Sequence, residues 1–368
     1  MQTSRPSILL LTTRTGGGHL NLAQSLEETL STRYDVVIAD PYPDALRDYY
    51  TMLSRHLLWA WDLQYKFTNN PAGSLLLHRV LTFAIKKRIV ELIERVQPQV
   101  IVSTHALLSY EVRHACAAMH SNVPLVFQLT DLEEVHIAWF NDKHAAAYLA
   151  PSREICAQAA QHGIARHRLY TTGRPVRRQF LDVVPTMRDE TLKMLGLDPA
   201  LFTIFLQGGA RGSAGIDQTV RSILAAEIPM QIIMAVGNNT ALAKHFAGIA
   251  RLAVLPFTPL IAPYMAASDL IAGKAGASFI SEAFTLEKPF LVTNFIPGQE
   301  LPSLRFLKRY DLGWVSLDAG DQKQLLTTLA RTPSLMEEKI ANVRAYKEWN
   351  LQANRVLLPL MEKLITNG

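Results

Sequence analysis

The chain has 368 residues, about two domains' worth, and each domain is large enough to build a core without cross-links. Hydrophobic residues at 49% and charged residues at 19% exclude a disordered polymer, and two cysteines, Cys116 and Cys156, exclude a disulfide scaffold or a cysteine-rich zinc site. No stretch reaches the ~18 uninterrupted apolar residues of a spanning helix, and the N-terminal apolar run is too short for a signal-peptide core. The expectation is a cytoplasmic chain, with a peripheral membrane role left open.

In chain order, residues 7–13 read as a buried strand, 20–31 as a helix and 35–40 as a second strand. Helical patterns fill 45–95. Strands follow at 100–104, 124–130 and 145–151, the last leading into a helix that Ser152 can cap. The pattern then restarts, with strands at 201–207, 231–237, 251–257, 269–273 and 288–294 separated by helices. Short apolar strands alternating with helices predict an α/β fold of two Rossmann-like domains with parallel sheets. The expected divisions are 1–175, 176–335 and a helical segment, 336–368, crossing back to the first domain. The join near 173–190 holds prolines and mixed charge, as a boundary should.

The net charge of +5 is concentrated unevenly. Residues 49–95 hold seven basic and three acidic side chains, together with Trp59, Trp61 and the run Lys86-Lys87-Arg88. Rings beside cations suit an anionic membrane surface, while an ordinary helical pair with a solvated basic face explains the same pattern. No nucleic-acid motif accompanies the charge.

Three glycines, Gly16 to Gly18, follow the first strand and precede His19. They permit close backbone approach to a ligand, and free amides there favour anions. Asp40 ends the second strand, as in nicotinamide-binding domains, but the spacing is not GxGxxG. A histidine in a turn at a sheet's carboxyl edge is placed to act as a base, and a helix-start histidine without chemistry is the plainer alternative. A second glycine loop, around Gly209, opens the second half. In the segment from Asp269 to Glu282, a strand runs through Lys274-Ala275-Gly276 and Ser278 into a helix. Backbone amides there suit a pyrophosphate, Lys274 can neutralise it, and Glu282 can accept from a ribose diol. Gln299 and Glu300 after the next strand offer donors and acceptors for sugar hydroxyls. No Asp-x-Asp pair occurs, so a metal-dependent donor site is not expected and no metal is invoked.

The stretches TGGGHLNLAQSL, STHALLS, LTDLEEVHIAWFN, YLAPSREI, TTGRPVRRQF, PYMAASDLIAGKAGASFISEAF and NFIPGQE, in that order, resemble glycosyltransferase family 28. Within it they resemble most the monogalactosyldiacylglycerol synthases and processive diacylglycerol glucosyltransferases, with MurG-type enzymes more distant. The resemblance implies a GT-B fold, two Rossmann-like domains around a central cleft. It implies an inverting transferase that moves glucose or galactose from a UDP-sugar donor, with no permanently bound cofactor, to diacylglycerol or a similar lipid.

By that resemblance His19 is the general base, and Gly17, Gly18, His105, Asp131 and His136 line the acceptor side. Glu282 binds ribose; Lys274, Ala275, Gly276 and Ser278 line the diphosphate with Gly209; Gln299 and Glu300 read the sugar; and Phe257 contacts uracil. Trp59, Trp61, Lys86, Lys87 and Arg88 dock on the inner membrane face. Two other outcomes are a degenerate GT-B protein that binds lipid or a partner without catalysis, and a UDP-sugar 2-epimerase-like enzyme. The chain departs from the family at Ser278-Phe279, where a ring is expected in place of a hydroxyl near the diphosphate, and at the residues before the first glycines.

Overall fold

A computed structural model describes residues 5–14, 17–184, 187–207 and 216–367. They fall into two compact units. The first comprises Met1–Arg177, Pro297–Pro302 and Trp349–Gly368, and the second Arg178–Ile296 and Ser303–Glu348.

The first unit runs β1 (Ser7–Leu11), α1 (Gly17–Leu30), β2 (Asp35–Ala39), α2 (Asp44–His56), α3 (Leu58–Thr68), α4 (Pro71–Val96), β3 (Val100–Ser103), α5 (Ser109–Ala118), β4 (Leu125–Gln128), β5 (Ala147–Ala150), α6 (Arg153–Gln161) and β6 (Leu169–Thr171). Its six strands are all parallel, in the order β2-β1-β3-β4-β5-β6. The period-2 geometry of β1 sends Ile8 and Leu10 to one face and Leu9 and Leu11 to the other, and each pair enters a different core cluster. Both faces are covered, which is why the strand reads as one continuous apolar run.

The second unit runs α7 (Arg188–Met194), β7 (Phe202–Gln207), α8 (Ile216–Leu224), β8 (Met230–Gly237), α9 (Thr240–Phe246), β9 (Leu252–Pro256), α10 (Ala262–Ala266), β10 (Leu270–Lys274), α11 (Ala277–Thr285), β11 (Phe290–Asn294), α12 (Leu301–Arg309), β12 (Gly313–Val315), α13 (Ala319–Arg331) and α14 (Glu337–Asn354). Its strands are also parallel, ordered β12-β11-β10-β7-β8-β9. Val220 and Ile223 of α8 and Leu326 and Leu329 of α13 pack on Ile204, Ile232 and Leu270 of the sheet.

The last helix, α15 (Leu357–Asn367), belongs to the first unit. Its Leu357, Leu360 and Met361 are buried against Ile8, Leu10, Val100 and Val102.

Ser152 caps α6, accepting from the Ile155 N–H at 3.2 Å. Every strand expected from the sequence is present. Two three-residue edge strands, β6 and β12, were not expected. The first helix also starts earlier than expected, at Gly17, so His19 rides in the first turn of α1 rather than in the turn before it. Gly17 and Gly18 take the helical conformation without hindrance.

Candidate active site

At the carboxyl edge of the first sheet, β1 delivers α1 and β3 delivers Thr104 and His105. The Nδ1 of His19 lies 2.8 Å from the Thr104 carbonyl oxygen. A carbonyl only accepts, so Nδ1 carries the proton and Nε2 holds a lone pair. Burial, together with the nearby charge of Arg174, brings the His19 pKa down to about 4, against the raising effect of the Thr104 hydrogen bond. The ring is therefore neutral at pH 7. Arg174 is itself buried, donates from its guanidinium to the Thr130 carbonyl, and has its backbone clamped by Asn350 through bonds of 2.6 and 3.0 Å. The clamp requires Gly173 beside it, at φ 66, where a Cβ would lie 2.6 Å from Asn350 Oδ1.

His105 stands edge-on to His19, with ring centroids 4.6 Å apart, and Tyr42 stands edge-on to His105 at 5.8 Å. Burial and the neighbouring His19, His78 and His136 hold the His105 pKa well below the usual histidine value. The four histidines thus share one electrostatic neighbourhood.

His136 has both nitrogens engaged. Its Nδ1 accepts from the Ala138 N–H at 3.1 Å, so its Nε2–H points to Thr68 Oγ1 at 3.2 Å. With Asn69 Oδ1 accepting from the Ile137 N–H at 2.9 Å, it fastens the end of α3 to residues 136–138. Asp131 lies in the loop after β4, its carboxylate accepting from the Thr130 hydroxyl at 3.4 Å. Gly17 and Gly18 form the first turn of α1, with Gly18 exposed. Asp40 is engaged as a staple. Its carboxylate accepts from the Arg14 N–H at 3.1 Å, the Tyr42 N–H at 2.9 Å and Arg47 Nη1 at 2.8 Å, which leaves it little capacity for a nucleotide ribose.

In the second unit, β10 ends at Lys274, Ala275 is buried, and Gly276 is the N-cap of α11 with no side-chain cap on that helix. The N-terminus of α11 thus starts at a residue without a side chain, beside Lys274 and Ser278, and the positive end of a helix favours an anion. Glu282, 5% exposed, follows on the same helix. Phe257, just past β9, is exposed.

The ring of Phe279 does not occupy the turn, as the sequence suggested. It packs inward, 6.2 Å from Phe205 and 5.1 Å from Phe290, closing over Gly273. A Cβ at Gly273, φ 155, would meet Gln207 O at 2.1 Å and the Phe279 ring at 3.0 Å. Gly209 lies outside the described residues.

Glu300 is buried, and Gln299 Oε1 is buried without a hydrogen-bond partner among the described residues. Both lie in the segment that clusters with the first unit. Among the described residues no group of three or more His, Cys, Asp or Glu is placed to hold a metal ion.

The aromatic-basic segment divides on folding. Trp59 is 72% exposed, and Lys87 and Arg88 face solvent. Lys86 is half-buried. Trp61 is half-buried and stands edge-on to Tyr50 at 5.0 Å, with its indole nitrogen buried. Phe67 of α3, an aromatic of the same segment, is exposed, and the sequence reading missed Leu63 of α3 and Leu76, Val80 and Phe83 of α4, which are exposed too. Their signal was an apolar recurrence at 59/63/67 and 76/80/83, on a different face of α4 from the buried stripe of His78, Leu81, Ile85, Ile89 and Ile93. It also missed the His78–Glu111 pair, wholly buried at 2.8 Å, with His78 Nε2 donating to Ala138 O at 3.1 Å. Among the described residues no helix is long and apolar enough to cross a membrane.

Two family models match the chain: monogalactosyldiacylglycerol (MGDG) synthase over residues 19–176, and the glycosyltransferase family 28 C-terminal domain over residues 203–299. A probable monogalactosyldiacylglycerol synthase 2 of Oryza sativa subsp. japonica is 28% identical, over 85% of this chain and 71% of its own length. Monogalactosyldiacylglycerol synthase 1 of Arabidopsis thaliana is 26% identical, over 83% of this chain and 62% of its own length. Among solved structures, Anabaena HepE in complex with UDP-glucose aligns with TM-score 0.61 at 16% identity, covering 97% of this chain and 99% of that one. The calicheamicin glycosyltransferase CalG4 aligns with TM-score 0.67 at 12% identity, covering 100% and 99%. These structures share the fold: two α/β units of the GT-B class.

Proposed function

We propose that this chain is a family 28 glycosyltransferase, and that it transfers a hexose from a UDP-sugar to diacylglycerol at a membrane surface; the two matching family models support the first part. The observation that carries this reading is the likeness to named monogalactosyldiacylglycerol synthases over 85% and 83% of the chain. Their names favour galactose, with glucose as the other hexose to test.

The acceptor hydroxyl donates to His19 Nε2. Its oxygen attacks the anomeric carbon as the bond to the UDP oxygen breaks. The proton ends on Nε2, and one displacement inverts the configuration. A base with a pKa of about 4 is weak, and the proton moves to it only as the alcohol oxygen bonds to carbon and its hydroxyl becomes acidic. Lys274 and the positive N-terminal end of α11 meet the charge on the departing UDP, with Gly276, Ala275 and Ser278 against the diphosphate. Glu282 takes the ribose diol, Phe257 the uracil, and Gln299 and Glu300 the sugar hydroxyls.

Trp59, Leu63, Phe67, Leu76, Val80 and Phe83 enter the lipid interface, while Lys87 and Arg88 meet anionic headgroups. The protein then acts as a peripheral enzyme on the membrane from which it draws its acceptor.

The test is incubation of the purified protein with UDP-galactose or UDP-glucose and diacylglycerol in anionic liposomes, the lipid extract being read by chromatography and mass spectrometry. A hexosyl-diacylglycerol is expected, from UDP-galactose first. UDP binding by calorimetry without a new lipid would move the acceptor elsewhere. Neither product nor UDP binding would overturn the reading.

A further inference from the structure

His19 and His105 present opposite tautomers side by side. His19 donates from Nδ1 to the Thr104 carbonyl, so its Nε2 is a lone-pair acceptor. His105 caps the short 3-10 turn at Ala106–Leu108, its Nδ1 accepting from the Leu107 N–H at 3.2 Å. An N–H only donates, so the His105 proton is on Nε2. Neither Nε2 has a hydrogen-bond partner among the described residues, and the rings stand 4.6 Å apart at 66°. Both rings are held neutral by burial, so neither offer is erased by protonation near pH 7. A ring with a free accepting nitrogen therefore stands beside a ring with a free donating one.

We propose that this pair reads the acceptor alcohol at two points: its hydroxyl donates to His19 Nε2, and an ester carbonyl oxygen on the neighbouring carbon accepts from His105 Nε2–H. His105 is then a specificity-determining residue, and the substrate class is an alcohol vicinal to an ester, not a long-chain alcohol alone. A ring separation of 4.6 Å suits a hydroxyl oxygen and the carbonyl oxygen of an ester borne on the adjacent carbon, which lie a few bonds apart. The exposed apolar faces of α3 and α4 in the same unit favour a lipid ester over a second sugar hydroxyl as the group read. The inference rests on the transfer to diacylglycerol proposed above and adds which feature of that lipid is recognised.

The experiment compares 1,2-dioleoylglycerol with its 1,2-dioleyl diether, which lacks both carbonyls, in the same anionic vesicles. It uses the wild-type chain and His105→Asn. Asparagine keeps an acceptor where Nδ1 caps the turn but has no donor at the far side of the ring. For the wild type, kcat/KM is expected to favour the diester by about 5- to 30-fold, the effect of one neutral hydrogen bond. In His105→Asn that ratio falls towards one, mainly through a higher KM for the diester. Retained UDP affinity and thermal midpoint show that the variant has folded. An unchanged ratio in the variant, or no preference in the wild type, overturns the proposal while leaving the transfer reaction standing. Absence of lipid product from the wild type with either acceptor overturns the reaction it rests on. Long-range proton–nitrogen NMR on histidine-labelled protein is a second check that does not depend on a variant. Protons on His19 Nδ1 and His105 Nε2 are expected, and matching tautomers overturn the pairing.

Discussion

His19 donates to a backbone carbonyl where many catalytic histidines donate to a carboxylate, and this has two consequences. The carbonyl selects the tautomer, leaving Nε2 as the base, and it adds no negative charge to hold a proton on the ring. The His19 pKa of about 4 then follows from burial and Arg174. The acid limb of kcat/KM, which reports the free enzyme, is expected well below pH 6.5, and a limb at 6.5 or above in a pH–rate profile would contradict the assignment. His19→Ala is expected to lower kcat by ~10²–10⁴ while UDP affinity, read by calorimetry, stays close to wild type. His136 is also held at about 4 by burial. For both groups the unfolded chain binds protons more readily, with a pKa of about 6.5. Between about 4 and 6.5 the unfolded state therefore carries more protons, so stability is full above pH 6.5 and falls as the pH drops through that window. Urea unfolding midpoints at pH 7 and pH 5 check this: the lower pH should give the lower midpoint.

At the scale of the element, α4 carries three features on one helix: a buried apolar stripe, an exposed apolar stripe and an exposed basic end. The buried stripe holds the unit together, with His78 pinned to Glu111 of α5. Removing one member of such a pair strands the other without a partner. His78→Ala is expected to cost about 3–5 kcal/mol in urea unfolding, far more than the surface variants below. For the exposed faces, one aromatic ring entering lipid contributes about 1.5–3 kcal/mol and each cation near an anionic surface about 1 kcal/mol. Phe83→Ser, at a residue 94% exposed, should therefore weaken vesicle binding at least as much as neutralising Lys87 and Arg88 together. The effect of Phe83→Ser should survive high salt and that of the cations should not. Trp61→Phe should leave vesicle partition unchanged, because the Trp61 ring is turned against Tyr50. A sedimentation assay with the three variants separates these expectations.

At the scale of the molecule, each sheet has its own apolar clusters, and the chain returns from the second unit to the first within α14. The last helix then covers one face of the first sheet. Met361→Ala, 1% exposed at present, is expected to destabilise the protein by about 2–5 kcal/mol, although it lies some 340 residues from His19 in sequence. Denaturant unfolding followed by far-UV circular dichroism measures the loss. Covering an apolar sheet face from the far end of the chain is a long-range contact, and the local pattern at 357–367 shows only an amphipathic helix, not the face it will meet.

The succession of strands along the chain, β1 to β5 and β7 to β11, was legible in the residues because a parallel strand buried on both faces must be a short apolar run between helices. His19, Lys274, Glu282 and the Gln299-Glu300 pair were singled out because each follows such a strand, where a parallel sheet exposes its carboxyl edge. The three-residue strands β6 and β12 were not legible, since three residues display no period and their pairing depends on a neighbour already in place. What the sequence determined alone was therefore period and punctuation: where strands and helices alternate, and which polar residues stand at their ends. Only the tertiary structure decided which nitrogen of His19 and of His105 is free, that Trp61 is half-buried while Trp59 is exposed, and that Phe279 packs against Phe205 and Phe290. Those outcomes depend on what each side chain meets across the fold, and that partner lies 11 to 85 residues away: Thr104 for His19, Tyr50 for Trp61, Phe205 for Phe279.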